Sequence, residues 1–248
     1  MTRVQLVLLM VGTLTACANP VLFRALTGET SSSLESPSEE ETVTFTPADG
    51  FRADVRDFSN THPDFEIAPC GVTVGMLEEQ LDASNLPKLA DGKGCISPAT
   101  FDEWFRDVPG VNHRSEHLLL FQAAGPPWEY TNTTFFPIDG TGFGNEGESH
   151  NYHFTVHIVT WMEVETNSSI EIAADDDIWV FVNGKLAIDL GGVHAAVTQN
   201  FAIDEATRAE FGVTLGEKVR IDVFKAERRT VDSVFGLTIN SPLYHREP

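Results

Sequence analysis

Positive charge is what this chain has least of. Sixteen Lys and Arg stand against 37 Asp and Glu, a formal net charge of -21 over 248 residues. So acidic a surface repels phosphates, and no basic stripe compensates, so nucleic acid is not expected as a partner. Cysteine is almost absent, with 3 in the chain, too few and too widely spaced for a structural zinc site. The usual catalytic signatures are missing as well. There is no Gly-x-Ser-x-Gly elbow and no His-Glu-x-x-His pair. The glycine-rich run Gly140 to Gly147 has neither the lysine of a phosphate-binding loop nor the strand-then-helix context of a dinucleotide site. A glycoside hydrolase needs only two carboxylates at a suitable separation, so that class stays open.

No apolar run is long enough to cross a bilayer. The one near the N-terminus, within Met1 to Ala16, is about a dozen residues long, follows a single charge at Arg3 and ends in small residues. That is the pattern of a secretory signal. Its end, Leu14-Thr15-Ala16-Cys17, resembles the bacterial lipobox. The resemblance implies a signal peptide over 1–17, a lipid on Cys17 and a membrane contact made through that lipid only. Ala18 stands where an aspartate would resemble an inner-membrane retention signal, so the expectation is an anchor in the outer membrane or at the cell surface. The alternative is an ordinary signal peptide with a coincidental cysteine. Residues 18–42 include GETSSSLESPSEEET, Gly28 to Thr42, which is acidic, nearly free of apolar residues and expected to be a disordered tether. From 43 to 248 the composition is globular, enough for one sizeable all-β domain.

With Cys17 set aside, Cys70 and Cys95 remain in a compartment that permits disulfides, and they are expected to pair. Such a bond is worth about 3 kcal/mol in the chain-entropy model. It would pin an insertion holding Met76 to Leu81 and the turn Asp91 to Gly94. Two free buried thiols are the alternative.

The most informative stretch is DDDIWVFVNGKLAIDLGGVH, Asp175 to His194. Ile178 to Val182 is apolar at every position, as in a strand covered on both faces, and Asn183-Gly184 favours a type I′ hairpin turn. The return strand, Leu186 to Leu190, carries Asp189 back towards Asp175, Asp176 and Asp177. Carboxylates beside the glycines Gly191 and Gly192 suit a hard cation, and calcium takes six to eight oxygen ligands. Contiguous aspartates do not make an EF-hand. The plain alternative is an acidic turn at a strand entrance.

Elsewhere, Tyr152 to Val159 and Lys218 to Val223 alternate with period two. Ser169 to Ala174 and Val234 to Ile239 read as further strands. Helices are few: a short turn around Phe101 to Phe105, and Asp204 to Phe211 ending before Gly212. His150, His153 and His157 read as surface or cross-strand packing rather than a metal cluster. Asp139 and Asn145, flanking Gly140, Gly142 and Gly144, read as a tight connector. Glu227 and Arg228 read as a structural ion pair, and Trp179 as core. Trp104, Trp128 and Trp161 are the remaining candidates for stacking on a sugar.

The Asp-Asp pair, apolar strand, Asn-Gly turn, second strand and glycine turn resemble the calcium-dependent lectin domains of the protective-antigen and flocculin type. In the same order as in fibro-slime proteins stand HPDFE (His62 to Glu66), FDEWFRDVPGVN (Phe101 to Asn112), FFPIDGTGFGNEGESHNYHFT (Phe135 to Thr155), the DDD hairpin and FKAERRTVDS (Phe224 to Ser233). The resemblance covers most of the chain after the tether. It implies a mainly β fold, an antiparallel protective-antigen-like β-sandwich with few short helices, over 43–248. It further implies a cis peptide between the paired aspartates and one calcium shared by them, open to sugar hydroxyls. The family pattern has glycine where Asp177 stands. Metal ligands are then expected among Asp175, Asp176, Asp177 and Asp189, and a glycan at Asn183, Gly191, Gly192 and His194. The function implied is a calcium-dependent carbohydrate-binding or adhesion module. A cell-surface glycoside hydrolase, or a structural matrix protein whose calcium only stiffens a loop, are the alternatives.

Overall fold

The computed structural model describes residues 43–90 and 94–247. The signal run, Cys17, the tether and turn residues 91–93 lie outside the described residues. The class is mainly β, with 42% strand and 5% helix. In chain order the strands are β1 (Phe45–Pro47), β2 (Gly50–Phe58), β3 (Asn112–Leu120), β4 (Trp128–Asn132), β5 (Phe154–Glu163) and β6 (Ser169–Ala174). They continue as β7 (Ile178–Val182), β8 (Lys185–Leu190) and β9 (Val197–Ala202). Helix α1 (Glu205–Phe211), β10 (Lys218–Glu227), β11 (Phe235–Asn240) and β12 (Leu243–Arg246) complete the domain.

All pairing is antiparallel. One sheet of eight strands runs β1-β12-β5-β10-β7-β8, with β2 joining β5 and β3 joining β2; a second of four strands runs β4-β11-β6-β9. The sheets face each other across the main core. Val156 and Ile158 of β5, Ile221 and Val223 of β10, and Ile178, Val180 and Val182 of β7 meet Ile170 and Ile172 of β6 and Leu237 and Ile239 of β11. Period two puts these residues on one face of each strand. The hairpin turn is as the sequence implies: Asn183 and Gly184 both take positive φ, 51° and 78°, as a type I′ turn requires. Helix α1 is bounded by Asp204, whose side chain accepts from the Thr207 amide, and by Gly212 at φ 64°.

The large sheet buries its other face too. There Trp179 and Phe181 of β7 and Phe224 and Ala226 of β10 pack under the long β2–β3 connection, through Met76, Leu77, Ile96, Phe101, Trp104 and Phe105. This second core explains why β7 is apolar at all five positions. The connection has little regular structure beyond a single 3-10 turn, Phe101–Glu103. It is held instead by side chains. Asp64 accepts from the Ser97 amide, Thr100 Oγ1 and Trp104 Nε1, and Cys70 is bonded to Cys95 as expected.

Candidate functional site

Strand β6 delivers Asp175, Asp176 and Asp177 to the seam between the two sheets, against the end of β10. All three are buried, as are Lys225, Glu227 and Arg228. The Asp175 carboxylate accepts from the Val234 amide at 2.8 Å and lies 3.5 Å from Lys225 Nζ. Lys225 also donates to Glu227 at 3.1 Å and to the Asp175 carbonyl at 3.2 Å. Asp176 accepts from the Arg228 amide at 2.8 Å, and its own amide donates to the His194 carbonyl. Asp177 is taken on both oxygens, by the Gly192 amide and by the Arg228 guanidinium at 2.9 Å.

Four buried carboxyls therefore face two buried cations, so with all four ionised two negative charges would stay uncompensated. The proton affinities follow. Burial pushes Asp176 up to about 6; Lys225 pulls against this, while Asp177 and Asp175 add to it. Burial also raises Glu227 well above its usual range. For Lys225 burial works downward, but Glu227, Asp175 and Asp176 outweigh it and hold the ammonium charged.

A cavity of about 260 Å³ opens onto this cluster. Asp175, Asp176, Glu227, His194 and Asp232 line it, and Val193, Val231 and Val234 give it apolar walls. The donor set suits a divalent cation, since one ion cancels two charges and oxygen ligands are what calcium takes. Asp175 and Asp176, with Glu227 behind them, are the residues that would hold it. Among the described residues no group of three or more His, Cys, Asp or Glu converges at metal-holding distance, so backbone carbonyls or ligand hydroxyls would complete the shell.

The structure disperses the rest of the expected ligand set. Asp177 is engaged by Arg228. Asp189 accepts from Trp179 Nε1 and from the Gly75 amide, on the side of the second core. Asn183 turns the hairpin at the far end of β7, with the 5 residues of that strand between it and the aspartates. Gly191 and Gly192 serve close packing: a Cβ on Gly191 would sit 2.6 Å from Met76 Sδ, and one on Gly192 2.3 Å from the Gly71 carbonyl. Of the expected sugar contacts only His194 lines the cavity. The expected cis peptide between the aspartates is not present; among the described residues the cis bonds are Gly125–Pro126 and Pro126–Pro127, and Asp176 instead adopts φ 50°. The expected Glu227–Arg228 ion pair is also corrected, because neighbours on a strand point to opposite faces. Glu227 meets Lys225, and Arg228 meets Asp177.

The other constellations are structural. His150 stacks on Phe136 with ring centroids 3.9 Å apart. His153 lies between Glu66 and Glu146. His157 bonds the buried Asp222. The glycine-rich loop wraps Asp57, which accepts from the Phe143 amide and from Asn151. Sequence reasoning missed Glu227, Arg229 and Asp232 as lining residues; their only signal was the FKAERRTVDS segment.

The fold and seam described here define a two-sheet β-domain with an acidic cavity, and comparison with known proteins gives it a family context. Residues 138–244 match the PA14 domain family model. Among curated proteins of Dictyostelium discoideum, protein psiQ is 35% identical over 68% of this chain and 19% of its own length. Protein psiC is 32% identical over 72% of this chain and 38% of its own. The chain thus spans well under half of these relatives. Among solved structures, the PA14 domain of the MpAFP antifreeze protein aligns with a TM-score of 0.37 at 9% identity, covering 83% of this chain and 88% of that one. The PA14 sugar-binding domain from an RTX adhesin aligns at 0.35, also at 9% identity, covering 81% and 96%.

Proposed function

We propose that this chain is a surface-anchored carbohydrate-binding or adhesion module that takes its ligand in the cavity above Asp175 and Asp176, with calcium as the cofactor. The observation that carries the reading is the uncompensated charge. Buried carboxylates without enough cations are costly, and a divalent ion held by Asp175 and Asp176 removes that cost while leaving coordination positions facing the cavity. Neighbouring sugar hydroxyls suit such positions. The chain's own residues do the rest: Val193, Val231 and Val234 give an apolar wall for the sugar ring, and Asp232 offers a polar group, while both ring nitrogens of His194 are held by the Ala195 and Leu190 carbonyls. The PA14 match and the resemblance to calcium-dependent lectin domains support the sugar as ligand. No feature of the cavity favours a hydrolase over a binding module.

Calcium calorimetry tests the metal. The expected result is a binding heat for the full chain that is lost in Asp175→Asn/Asp176→Asn, together with a rise in melting temperature that only the unaltered protein shows. No heat, or equal heat in both proteins, would reduce the cluster to a structural acidic turn.

A further inference from the structure

Arg228 and Arg229 are neighbours with opposite fates. Arg228 is sealed: Nε donates to the Asp64 carbonyl, one terminal nitrogen to Asp177 and the other to the Cys95 carbonyl. Arg229 lines the cavity, and its Nε is buried without a hydrogen-bond partner. A buried donor left unmade costs about 1–3 kcal/mol, and without the partners that fix Arg228 the Arg229 guanidinium is free to turn its donors to a ligand in the cavity. The guanidinium is a planar fork of donors that matches a carboxylate on two atoms at once.

The charges on the page favour an anion at that point only when the floor is filled. With all four ionised, Asp175, Asp176, Asp177 and Glu227 exceed Lys225 and Arg228 by two charges, and one calcium that displaces their protons brings the floor to neutrality. Arg229 then remains as the cation lining the cavity, with Asp232 as a further lining carboxylate.

We propose that Arg229 is the specificity-determining residue of the cavity and that it pairs with a ligand carboxylate, so that the preferred saccharide is one bearing uronic acid. The ligand's hydroxyls meet calcium and Asp232 while its carboxylate meets Arg229. This rests on the calcium-dependent sugar reading above.

The test is calorimetry on the full chain and on Arg229→Gln and Arg229→Lys, in excess calcium, with calcium titrated first so that loss of metal and loss of sugar are read apart. The probes are short oligomers of galacturonate, glucuronate and mannuronate, each beside its methyl ester or neutral counterpart, and a sulfated neutral oligomer. The expected result is at least tenfold tighter binding of a uronate than of its neutral counterpart. Arg229→Gln should abolish that preference, and Arg229→Lys should keep only part of it. Equal binding of charged and neutral oligomers, a preference for sulfate alone, or a preference that survives Arg229→Gln overturns the assignment and leaves the calcium-dependent sugar reading standing. No saccharide binding at all, with calcium bound, overturns both.

Discussion

Three successive residues at the end of β10 divide the work of the seam. Glu227 faces Lys225, Arg228 secures Asp177 and the disulfide-bonded loop, and Arg229 turns to the cavity. The buried Asp177–Arg228 pair is where a single deletion should cost most, because removing one partner strands the other charge: Asp177→Ala should lose about 3–5 kcal/mol in urea unfolding. Losing the exposed Lys88–Glu78 pair should leave the same measurement almost unchanged. Asp176 sets a pH dependence. Its carboxyl is raised from 3.8 to about 6 in the fold. Its contribution is therefore fully present below the unfolded value and lost as pH rises through about 6. In chelator, Asp176→Asn should match the unaltered protein near pH 4 and exceed it near pH 7.5, by up to about 3 kcal/mol. An unchanged difference across that range in urea melts would contradict the assigned proton affinity. At this scale the sequence showed the aspartates plainly, as contiguous charge before an apolar strand. It could not show Lys225, Glu227 and Arg229, since their approach depends on a register that joins β10 to β5 and β7 rather than on local spacing.

Among the elements, β7 was the most legible. Apolar side chains at every position implied cover on both faces, and both cores confirm it. What covers the second face was not legible, because the β2–β3 connection carries almost no periodicity. Its aromatics, Trp104 and Phe105, find their partners through tertiary packing and through Asp64. The Gly191–Gly192 turn shows the same limit. Its glycines read as room for a ligand, whereas the structure uses them to let the Cys70 loop lie against Trp179. Gly192 sits at φ 100°, and an added Cβ would meet the Gly71 carbonyl. Gly192→Ala should therefore cost at least about 2 kcal/mol in chemical denaturation. Hydrogen exchange should rise at Cys70 and Gly71, whose amides donate to the Val193 carbonyl. A variant with unaltered stability and exchange would show that the turn has slack that the packing does not suggest.

For the molecule as a whole, the mainly β class, the strand alternation and the Cys70–Cys95 bond were readable because each follows from composition or period. The order of strands within the two sheets and the second core were not, since strand order is a non-local property. The acidic balance gives the chain a repulsion from phosphates, and three of its sixteen Lys and Arg serve the seam: Lys225 and Arg228 are buried in it and Arg229 lines the cavity. A shallow sugar site is weak on its own. Many tethered copies on one surface would compensate through effective concentration, which is the role proposed for a lipid on Cys17 and an acidic tether over 18–42. That the cavity over Asp175 and Asp176 holds sugar through calcium is the proposal to test first, by retention of the full chain on a glycan array, with calcium and with chelator, beside Asp176→Ala. The expected result is retention that chelator abolishes and that the folded variant lacks; retention that persists undiminished in chelator would rule out binding through calcium.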